Sequence, residues 1–346
     1  MASVEAPAAP SAPETELQRI HGLAADARWL DALDALEAHE ASHGREEAAV
    51  SPEGSDEIDE IRARGAAFRR ARAATAADGA GEDGGGAWIA GHEAFGVTTS
   101  YRYDSNGLLW LRTSGEMRDI DLFHTVAVLR QVELFGEWVP FLREARVLKE
   151  VDFSRLLAFF TIGVRAVLNR DCVLRVAACN DALASGSLFF EGRSLDDGAD
   201  RWRGAPVPPR ATGWFSDRMF VHSLFARVAF LSRRSQHCHI VVSVDLRTVL
   251  PRAILDFFLK KLVGLFLVLW RRQSRRVSAD PKCPHQLAIA ADPAFYDAWL
   301  LPKYLEFCKT RGWDEDDDDE SAVLDADDVA LDPDADAAAA ADLAAA

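Results

Sequence analysis

The segment from Val242 to Gln273 limits the fold more than any other part of the sequence, because it joins a strand-like run to a long helix. Its longest uninterrupted apolar run, Leu262 to Trp270, is much shorter than the roughly 20 residues that a membrane-spanning helix needs. Extending the run backwards brings in Asp256, Lys260 and Lys261, and each such charge costs about 2.5–3.5 kcal/mol at a bilayer centre. The sequence therefore predicts a helix that packs against protein.

A helical wheel gives this segment one wide apolar side and one narrow polar side. The polar side carries Asp256, Lys260, Gly264 and Arg271, and the first two are spaced as an i,i+4 ion pair. Pro251 fits the first turn, where a missing N–H costs little. The apolar side needs a large covering surface, and a preceding curved sheet is the natural partner. The residues predicted to face that sheet are Leu255, Phe258, Leu262, Phe266 and Leu269.

The residues before this helix show strand patterns, with no regular alternation of strands and helices. "GVTTSYRYD" and "LLWLRTSGEMR" read as strands joined by a turn at 105–107, and a helix over 119–138 follows that begins beside Asp119 or Asp121. At least five or six strands come next, and this order predicts an α+β fold with an antiparallel sheet packed on a long C-terminal helix. Their sequences are "REARVLKEVD", "SRLLAFFTIG", "RDCVLRVAACND", "SGSLFFEGRSL", "DRMFVHSLFARVAFLS" and "QHCHIVVSVDL".

Segments of different composition flank this region. Apolar spacing predicts helices over 15–42 and from Asp56 to about Ala77, whereas residues 278–292 are predicted to form a loop before a last helix that bends at Pro302. The predicted divisions are a disordered leader at 1–14, a helical region at 15–78, a Gly-rich linker at 79–87, the α+β domain at 88–277, a C-terminal helical extension at 278–313 and a disordered acidic tail at 314–346.

Charge is distributed unevenly among these segments. Residues 1–90 carry 18 acidic and 8 basic side chains, residues 91–313 carry 23 and 31, and residues 314–346 carry 14 and none. A basic middle suits an anionic surface, and we expect a transient membrane partner rather than nucleic acid, since the basic residues lack aromatic interleaving. The residues expected to contact the membrane are Trp202, Arg271, Arg272, Arg275 and Arg276.

Cysteine usage and the N-terminus indicate the compartment. The five cysteines are odd in number and widely spaced, which favours reduced thiols. The first residues, "MASVEAPAAPSAPETE", have neither the basic nor the apolar stretch of a secretory signal. The sequence therefore predicts a cytoplasmic protein that associates peripherally with membranes.

Three motifs resemble those of the steroidogenic acute regulatory protein-related lipid-transfer (START) domain. In "GEWVPFLREARVLKEV", Trp138 ends a helix before a strand. "NRDCVLR" contains Arg170 and Asp171, as in the Arg-Asp signature of the family. In "SVDLRTVLPRAILDFF", Asp245 closes the last strand and Pro251 precedes the C-terminal helix. The motifs occur in the family's order, and the resemblance covers over half of the chain.

The resemblance implies a helix-grip fold, in which a curved antiparallel sheet wraps a long C-terminal helix around an enclosed hydrophobic tunnel. It implies noncovalent binding, and transfer or sensing, of one lipid: a sterol, phospholipid or sphingolipid, without cofactor or metal. The position where sterol-binding relatives have a basic residue is Val176, with Arg175 beside it and pointing to the other face. Where phosphatidylcholine-binding relatives have an Arg, this chain has Phe135. The cavity is therefore either unusually apolar, with Val176 in its wall, or anchored by other residues.

Other interpretations of the same residues stay open. The C-terminal helix could be a core helix without a cavity, and Arg170 and Asp171 could form a structural ion pair. A cyclase- or hydrolase-like enzyme would need a histidine facing the cavity, for which His222 and His239 are the candidates. The chain could also be a lipid-regulated adaptor whose N-terminal helices bind a protein partner. Zinc ligation by His237 and His239 with Cys283 and His285 is a further alternative, although such fragments are usually coincidence.

Overall fold

The computed structural model describes residues 15–43, 52–76, 87–164, 168–210, 216–247 and 263–313. Leu255, Phe258, Leu262 and Pro251 lie outside these ranges, as do the predicted leader and the acidic tail. Contacts divide the chain into two compact units, one ending at Arg69 and the other beginning at Arg70. No helix within the described ranges combines the length and the apolar character needed to cross a membrane.

The N-terminal unit begins with two helices where the sequence predicts one. Helix α1 (Glu16–Ala25) starts with a capping box, in which Thr15 and Gln18 each cap the backbone N–H of the other. The chain then turns at Ala27, whose φ is 58°, and continues as α2 (Trp29–His43). The prediction of a single helix over 15–42 is wrong because this turn lies within an unbroken apolar pattern.

Helix α3 (Pro52–Ala74) completes the helical region. Within the N-terminal unit, Gly65 lets α3 approach Leu33 closely, since a Cβ atom at Gly65 would lie 2.5 Å from Leu33 Cβ. Arg69 forms ion pairs of 2.5 Å with Asp34 and 2.7 Å with Glu37. The larger buried apolar residues of this unit are Ile20, Trp29, Leu30, Leu33, Leu36, Ile58, Ile61 and Phe68.

Strands dominate the second unit. In chain order they are β1 (Ile89–Ala94), β2 (Val97–Tyr103), β3 (Leu109–Arg118), β4 (Leu142–Asp152), β5 (Arg155–Val164), β6 (Leu168–Asp181), β7 (Ser187–Ser194), β8 (Arg201–Trp202), β9 (Ala205–Pro206), β10 (Ser216–Arg218), β11 (Phe220–Ser232) and β12 (Ser235–Asp245).

Among the described residues, ten of these strands form one curved sheet. Its order is β1-β2-β3-β12-β11-β7-β6-β5-β4, with β10 beside β6. Neighbours along this path are antiparallel, and β10 pairs with β6 in parallel. β8 and β9 form a separate small hairpin. The sheet thus has the predicted α+β character, although β1 was not among the predicted strands.

The helix predicted over 119–138 is interrupted. Helix α4 (Leu122–Arg130) is capped by Asp121, whose carboxylate accepts a 2.7 Å hydrogen bond from the Phe123 N–H. A 3-10 turn at Val132–Glu137 follows and leads directly to Trp138. A one-turn helix, α5 (Ala182–Ser185), connects β6 to β7.

The described part of the C-terminal region is helical. It comprises α6 (Val263–Ala279), α7 (Pro284–Ala291), α8 (Pro293–Phe295), a π turn (Tyr296–Leu300) and α9 (Leu301–Arg311). The prediction of a loop over 278–292 is wrong, because Pro284 occupies the first turn of α7, where it favours a helix. The π turn ends two residues before Pro302, which cannot donate to the helical ladder.

Helix α6 lies on the face of the sheet that carries Thr99, because a Cβ atom at Gly264 would lie 3.2 Å from Thr99 Cγ2. We call this the inner face and the opposite one the outer face. Residues 70–76 cover part of the outer face. There His239 Nδ1 donates a 3.0 Å hydrogen bond to the Thr75 carbonyl, and Arg72 forms a 2.9 Å ion pair with Asp181.

Candidate functional site

One row of apolar residues crosses the inner face from β2 to β5. Residues directly opposite each other in neighbouring strands share a face, and so do residues two apart within a strand. Tyr101 lies two residues from Thr99 and therefore belongs to the inner face. The residue paired with Tyr101 in β3 shares this face, and so does each successive partner across the sheet. We call this set the apolar row: Tyr101, Leu111, Val242, Leu224, Gly192, Val176 and Leu156.

The apolar row is incompletely covered, although it faces inward. Tyr101, Leu111, Val242, Leu224 and Val176 are only partly buried. Close-packed interiors leave few voids larger than a water molecule, so inward-facing side chains that stay partly exposed indicate open space beside them. Gly192, in the middle of the row, has no side chain and lets Leu174 and Leu224 approach closely. An added Cβ atom there would lie 3.3 Å from both Leu174 Cδ2 and Leu224 Cβ. The row therefore forms an apolar wall.

A line of five aromatic rings continues this wall from the sheet to α6. Phe135 lies 6.2 Å from Phe160 on β5 and 5.2 Å from Trp138, centroid to centroid. Trp138 lies 5.3 Å from Phe266, which in turn lies 6.3 Å from Trp270. These separations are those of favourable aromatic pairs. The line places Phe135 between the rings of Phe160 and Trp138, at the position where the phosphatidylcholine-binding branch has a cation.

Two buried polar atoms near these surfaces have no hydrogen-bond partner within the described residues. They are Trp138 Nε1 and Thr113 Oγ1, on residues that are 8% and 3% exposed. An unpartnered buried polar group costs free energy, and such groups are rare in folded proteins. By contrast, the inner-face residue Gln236 accepts from Thr125 Oγ1 at 3.0 Å and donates to the Ile120 carbonyl at 2.8 Å. Both of these unpartnered groups, Trp138 Nε1 and Thr113 Oγ1, are neutral.

Comparison with known proteins was made by sequence and by structure. No protein-family model and no curated protein matches the chain by sequence. The crystal structure of human STARD10 superposes with a TM-score of 0.52 at 14% identity, covering 68% of this chain and 86% of that one. The chain has a START-like fold. Human StAR-related lipid transfer protein 5 gives a TM-score of 0.47 at 16% identity, covering 62% of this chain and 99% of that one.

The predicted lining residues can be placed only in part on the START-like fold. Val176 lies in the apolar row, and Phe266 lies in the aromatic line. Leu269 is 5% exposed within the apolar cluster that α6 forms with the sheet. Arg175, as the sequence predicts, lies on the opposite face from Val176, where it pairs with Leu157. Whether these residues contact a ligand stays a prediction.

The polar side that the helical wheel assigns to this helix is wrong in the described part. Gly264 faces β2, and Arg271 is buried at 8% exposure. The Arg271 guanidinium donates to the Phe95 carbonyl at 2.7 Å. Residues 267–271 are all buried, so this part of α6 is covered on every side. A wheel describes one helix and cannot show that the β1–β2 hairpin would cover its polar side.

The START-like motif residues connect elements of the sheet. Arg170 donates to the Leu246 carbonyl at 3.0 Å, which joins the start of β6 to the end of β12. Asp171 forms an ion pair with Arg218 of β10. Asp245 accepts a 2.7 Å hydrogen bond from the Arg247 N–H. These contacts support a structural role for the motif, and Trp138 alone among its described residues belongs to the aromatic line.

The predicted membrane-contact residues differ in exposure. Arg272 and Arg276 are exposed, and Arg275 is half-buried with a 3.1 Å hydrogen bond to the Arg118 carbonyl. Trp202 is partly buried against the outer-face cluster of β5 and β6. The prediction for Arg271 is wrong, because its guanidinium is buried and donates a hydrogen bond to the backbone, so it cannot reach a membrane surface.

The histidines proposed for catalysis or metal binding do not face the apolar wall. His239 lies on the outer face, where burial lowers its pKa to about 4. His222 packs on Phe220 with ring centroids 4.7 Å apart, on the same outer side. His285 contacts the side chain of Gln131. It is distant in the sequence from His237 and His239. Within the described ranges, no three His, Cys, Asp or Glu side chains are grouped as a metal site would require.

Sequence reasoning missed most of the wall. Apart from Val176, the apolar row was not predicted, and neither were Phe135 and Phe160 as members of an aromatic line. A partial signal was present in the alternation of "VSVD", which gives the end of β12 one apolar face, whereas the wholly apolar run "LLWL" assigns no face to β3. What the sequence lacks is the register, which decides which of the two faces of each strand meets α6.

Proposed function

We propose that the protein binds a single hydrophobic lipid noncovalently between the inner face of its sheet and its C-terminal helix. The observation that carries this proposal is the apolar row, whose inward-facing side chains stay partly exposed. Burying about 400 Å² of apolar ligand surface there would contribute about 10 kcal/mol before the costs of association. No covalent step is needed for binding of this strength.

The START-like fold supports the same proposal, since the START motifs of the sequence imply lipid binding. Transfer of that lipid between membranes, or sensing of it, is the finer part of our proposal. The exposed Arg272 and Arg276 are suited to anionic headgroups at a cytoplasmic membrane surface. We accordingly propose a cytoplasmic protein that contacts membranes transiently.

The chemistry of the wall favours a ligand whose buried part is uncharged. Phe135 and Val176 occupy the two positions at which relatives carry a cation, and both belong to apolar surfaces. The unpartnered groups, Trp138 Nε1 and Thr113 Oγ1, are neutral and suit a hydroxyl or carbonyl oxygen. Sterols, phospholipids and sphingolipids all offer such groups, so the class of lipid is left to experiment.

We propose binding without catalysis at this site. A general acid or base would have to reach the bound ligand, and the two candidate histidines, His222 and His239, lie on the outer side of the sheet. Their position supports a binding role.

The decisive experiment is to purify the chain from cells and to identify co-purifying lipid by native mass spectrometry. Lipid transfer from labelled donor vesicles to acceptor vesicles would then be measured with and without the protein. We expect one lipid per chain and accelerated transfer. A chain that carries no lipid, takes up none from vesicles and transfers none would overturn the proposal. A lipid that is bound but not transferred would support sensing.

A further inference from the structure

A short sequence motif occurs twice at the end of α6. Residues 271–278 read "RRQSRRVS", so Ser274 and Ser278 each follow two arginines, at the second and third positions before the serine. Arginines at these two positions form the charge pattern by which arginine-directed serine kinases recognise their substrates. The two serines therefore offer the same local motif, and only their surroundings in the folded chain distinguish them.

Ser274 is enclosed within the folded chain. It is 0% exposed, and Arg271 and Gln273 of the same turn are 8% and 6% exposed. The Arg271 guanidinium donates to the Phe95 carbonyl at 2.7 Å. A kinase can reach Ser274 only if this turn of α6 leaves the core, which exposes apolar surface and breaks that hydrogen bond. The fold therefore protects Ser274.

Ser278 lies at the open end of the same helix. It is exposed, and so are Arg276 before it and Ala279, the last residue of α6. Val277 is the single buried side chain between Arg276 and Ala279. The ends of helices open locally at a much lower free energy than the body of a fold. Access to Ser278 therefore requires opening of the last turn, while the rest of α6 stays packed.

The groups around Ser278 suit a phosphate. Ser278 Oγ lies 2.7 Å from His124 Nδ1, within hydrogen-bond distance. Arg275, one turn before Ser278, lies on the same side of the helix and donates to the Arg118 carbonyl at 3.1 Å. A phosphate carries about two negative charges and has three strong acceptor oxygens. It would favour the protonated form of His124 and accept charge-assisted hydrogen bonds, which are stronger than hydrogen bonds to a carbonyl.

We propose that Ser278 is a phosphorylation site for an arginine-directed serine kinase, and that its phosphate weakens the attraction of α6 to anionic membranes. Ser278 Oγ forms a bond to the γ-phosphorus of ATP, the bond from that phosphorus to the bridging oxygen breaks, and ADP leaves with the electron pair. The hydroxyl proton passes to the catalytic aspartate of the kinase. The phosphate adds about two negative charges beside the two exposed arginines, Arg272 and Arg276. The membrane effect rests on the proposed function, whereas the modification does not.

Site mapping tests the modification on the full chain without any lipid. The chain is incubated with magnesium ATP and the catalytic subunit of cyclic-AMP-dependent protein kinase, and the phosphate is located by peptide mass spectrometry. We expect phosphate on Ser278 and at least about tenfold less on Ser274. A synthetic peptide of residues 268–282 should accept phosphate at both serines, because it lacks the fold. An unmodified Ser278 in the folded chain, or equal modification of both serines there, would overturn the proposal.

Two exposed cations provide matched variants for the kinase motif. Arg276 lies two residues before Ser278, and Lys282 lies four residues after it. Replacing either by Gln removes one positive charge. We expect Arg276→Gln to slow phosphorylation of Ser278 at least about tenfold, and Lys282→Gln to leave the rate unchanged. Equal rates in the two variants would contradict recognition of the motif, and circular dichroism would confirm that both variants are folded.

Vesicle binding tests the consequence of the phosphate. The phosphorylated and unmodified chains are compared on phosphatidylcholine vesicles with and without phosphatidylserine. We expect phosphorylation to weaken binding to the anionic vesicles about tenfold, and to have no such effect without phosphatidylserine, since the effect depends on charge. Equal affinity of both forms for anionic vesicles would overturn the effect on membranes. A chain that takes up no lipid would contradict the proposed function and leave the site mapping unaffected.

Discussion

The indole ring of Trp138 lies 5.3 Å from the phenyl ring of Phe266, centroid to centroid. This pair joins the end of the 3-10 turn to α6, two elements that are far apart in the sequence. Phe266 also lies 6.3 Å from Trp270, so the pair continues into the body of the helix. Because Phe266 is only partly buried, it combines two roles, a packing contact and an apolar surface open to a ligand.

Replacing Phe266 by Asp should abolish lipid binding while the sheet stays largely folded. A carboxylate in an apolar cavity has a large desolvation cost, and it would oppose an apolar ligand. Native mass spectrometry would report bound lipid, and far-ultraviolet circular dichroism would report the sheet. Leu287→Asp, at an α7 residue that is 62% exposed, is the control and should keep its lipid. Unchanged lipid binding in Phe266→Asp would show that Phe266 is not part of the site.

The same substitution at two leucines of β11, one inside and one outside the apolar row, tests the assignment of the row. Leu224 belongs to the row, whereas Leu231 is 53% exposed near the end of the same strand. We expect Leu224→Gln to weaken lipid uptake at least about tenfold, because an amide without a partner replaces apolar contact. Leu231→Gln should behave like the parent chain. Equal effects of the two changes on vesicle-to-protein uptake would contradict the assignment of the row.

Replacing either of two buried threonines by valine should change the free energy of unfolding, but in opposite directions. Thr113 Oγ1 has no hydrogen-bond partner, so Thr113→Val should raise the free energy of unfolding of the lipid-free protein by about 1 kcal/mol. Thr125 Oγ1 donates to Gln236 Oε1 at 3.0 Å, and Thr125→Val should lower it by about 1–3 kcal/mol, because the buried amide loses its partner. Urea denaturation measures both values. Destabilisation by Thr113→Val would indicate that the hydroxyl has a partner in solution.

Acid should destabilise the fold well before the carboxylates titrate. Burial lowers the pKa of both His239 and His285 to about 4, below the ordinary value of about 6.5. Between these values the unfolded chain binds more protons than the folded one, so the free energy of unfolding falls as pH falls from about 6.5 to about 4. At pH 5 each histidine accounts for a loss of about 2 kcal/mol.

Urea denaturation at pH 7.5 and at pH 5, about one and a half units below the unfolded pKa, measures this loss. His239→Asn retains a donor for the Thr75 carbonyl but does not titrate, so it should reduce the difference in the free energy of unfolding by about 2 kcal/mol. An unchanged difference between the two pH values in this variant would rule out His239 as a source.

The start of the second unit can be tested by truncation. Residues 70–76 hold Ala71, which is fully buried, the Arg72–Asp181 ion pair and the Thr75–His239 hydrogen bond. A chain beginning at Arg70 should therefore be more stable than one beginning at Ala77 by about 2–4 kcal/mol. Thermal and urea denaturation of both chains would give the difference. Equal stability would support the boundary at residue 88 that composition predicts.

The sequence by itself determined the local features of this protein. Strand alternation separated Arg175 from Val176, and the nearby Asp119 and Asp121 indicated where α4 begins, although the structure decided that Asp121 is the cap. The order of strands followed by a long helix predicted the α+β class, and its motifs indicated the START-like fold. Such features depend on residues close together in the chain, whose backbone geometry and capping chemistry are independent of distant partners.

Only the tertiary structure decided which surfaces meet. The register of the sheet selected the inner face and assembled the apolar row from seven strands. It also enclosed Arg271, which a helical wheel places on a polar side, and brought His239 to the carbonyl of Thr75. The physical reason is that a shift of one residue in register exchanges the faces of a strand without changing its sequence pattern. Long-range pairing therefore fixes the site, and the local sequence specifies only what each element can offer to it.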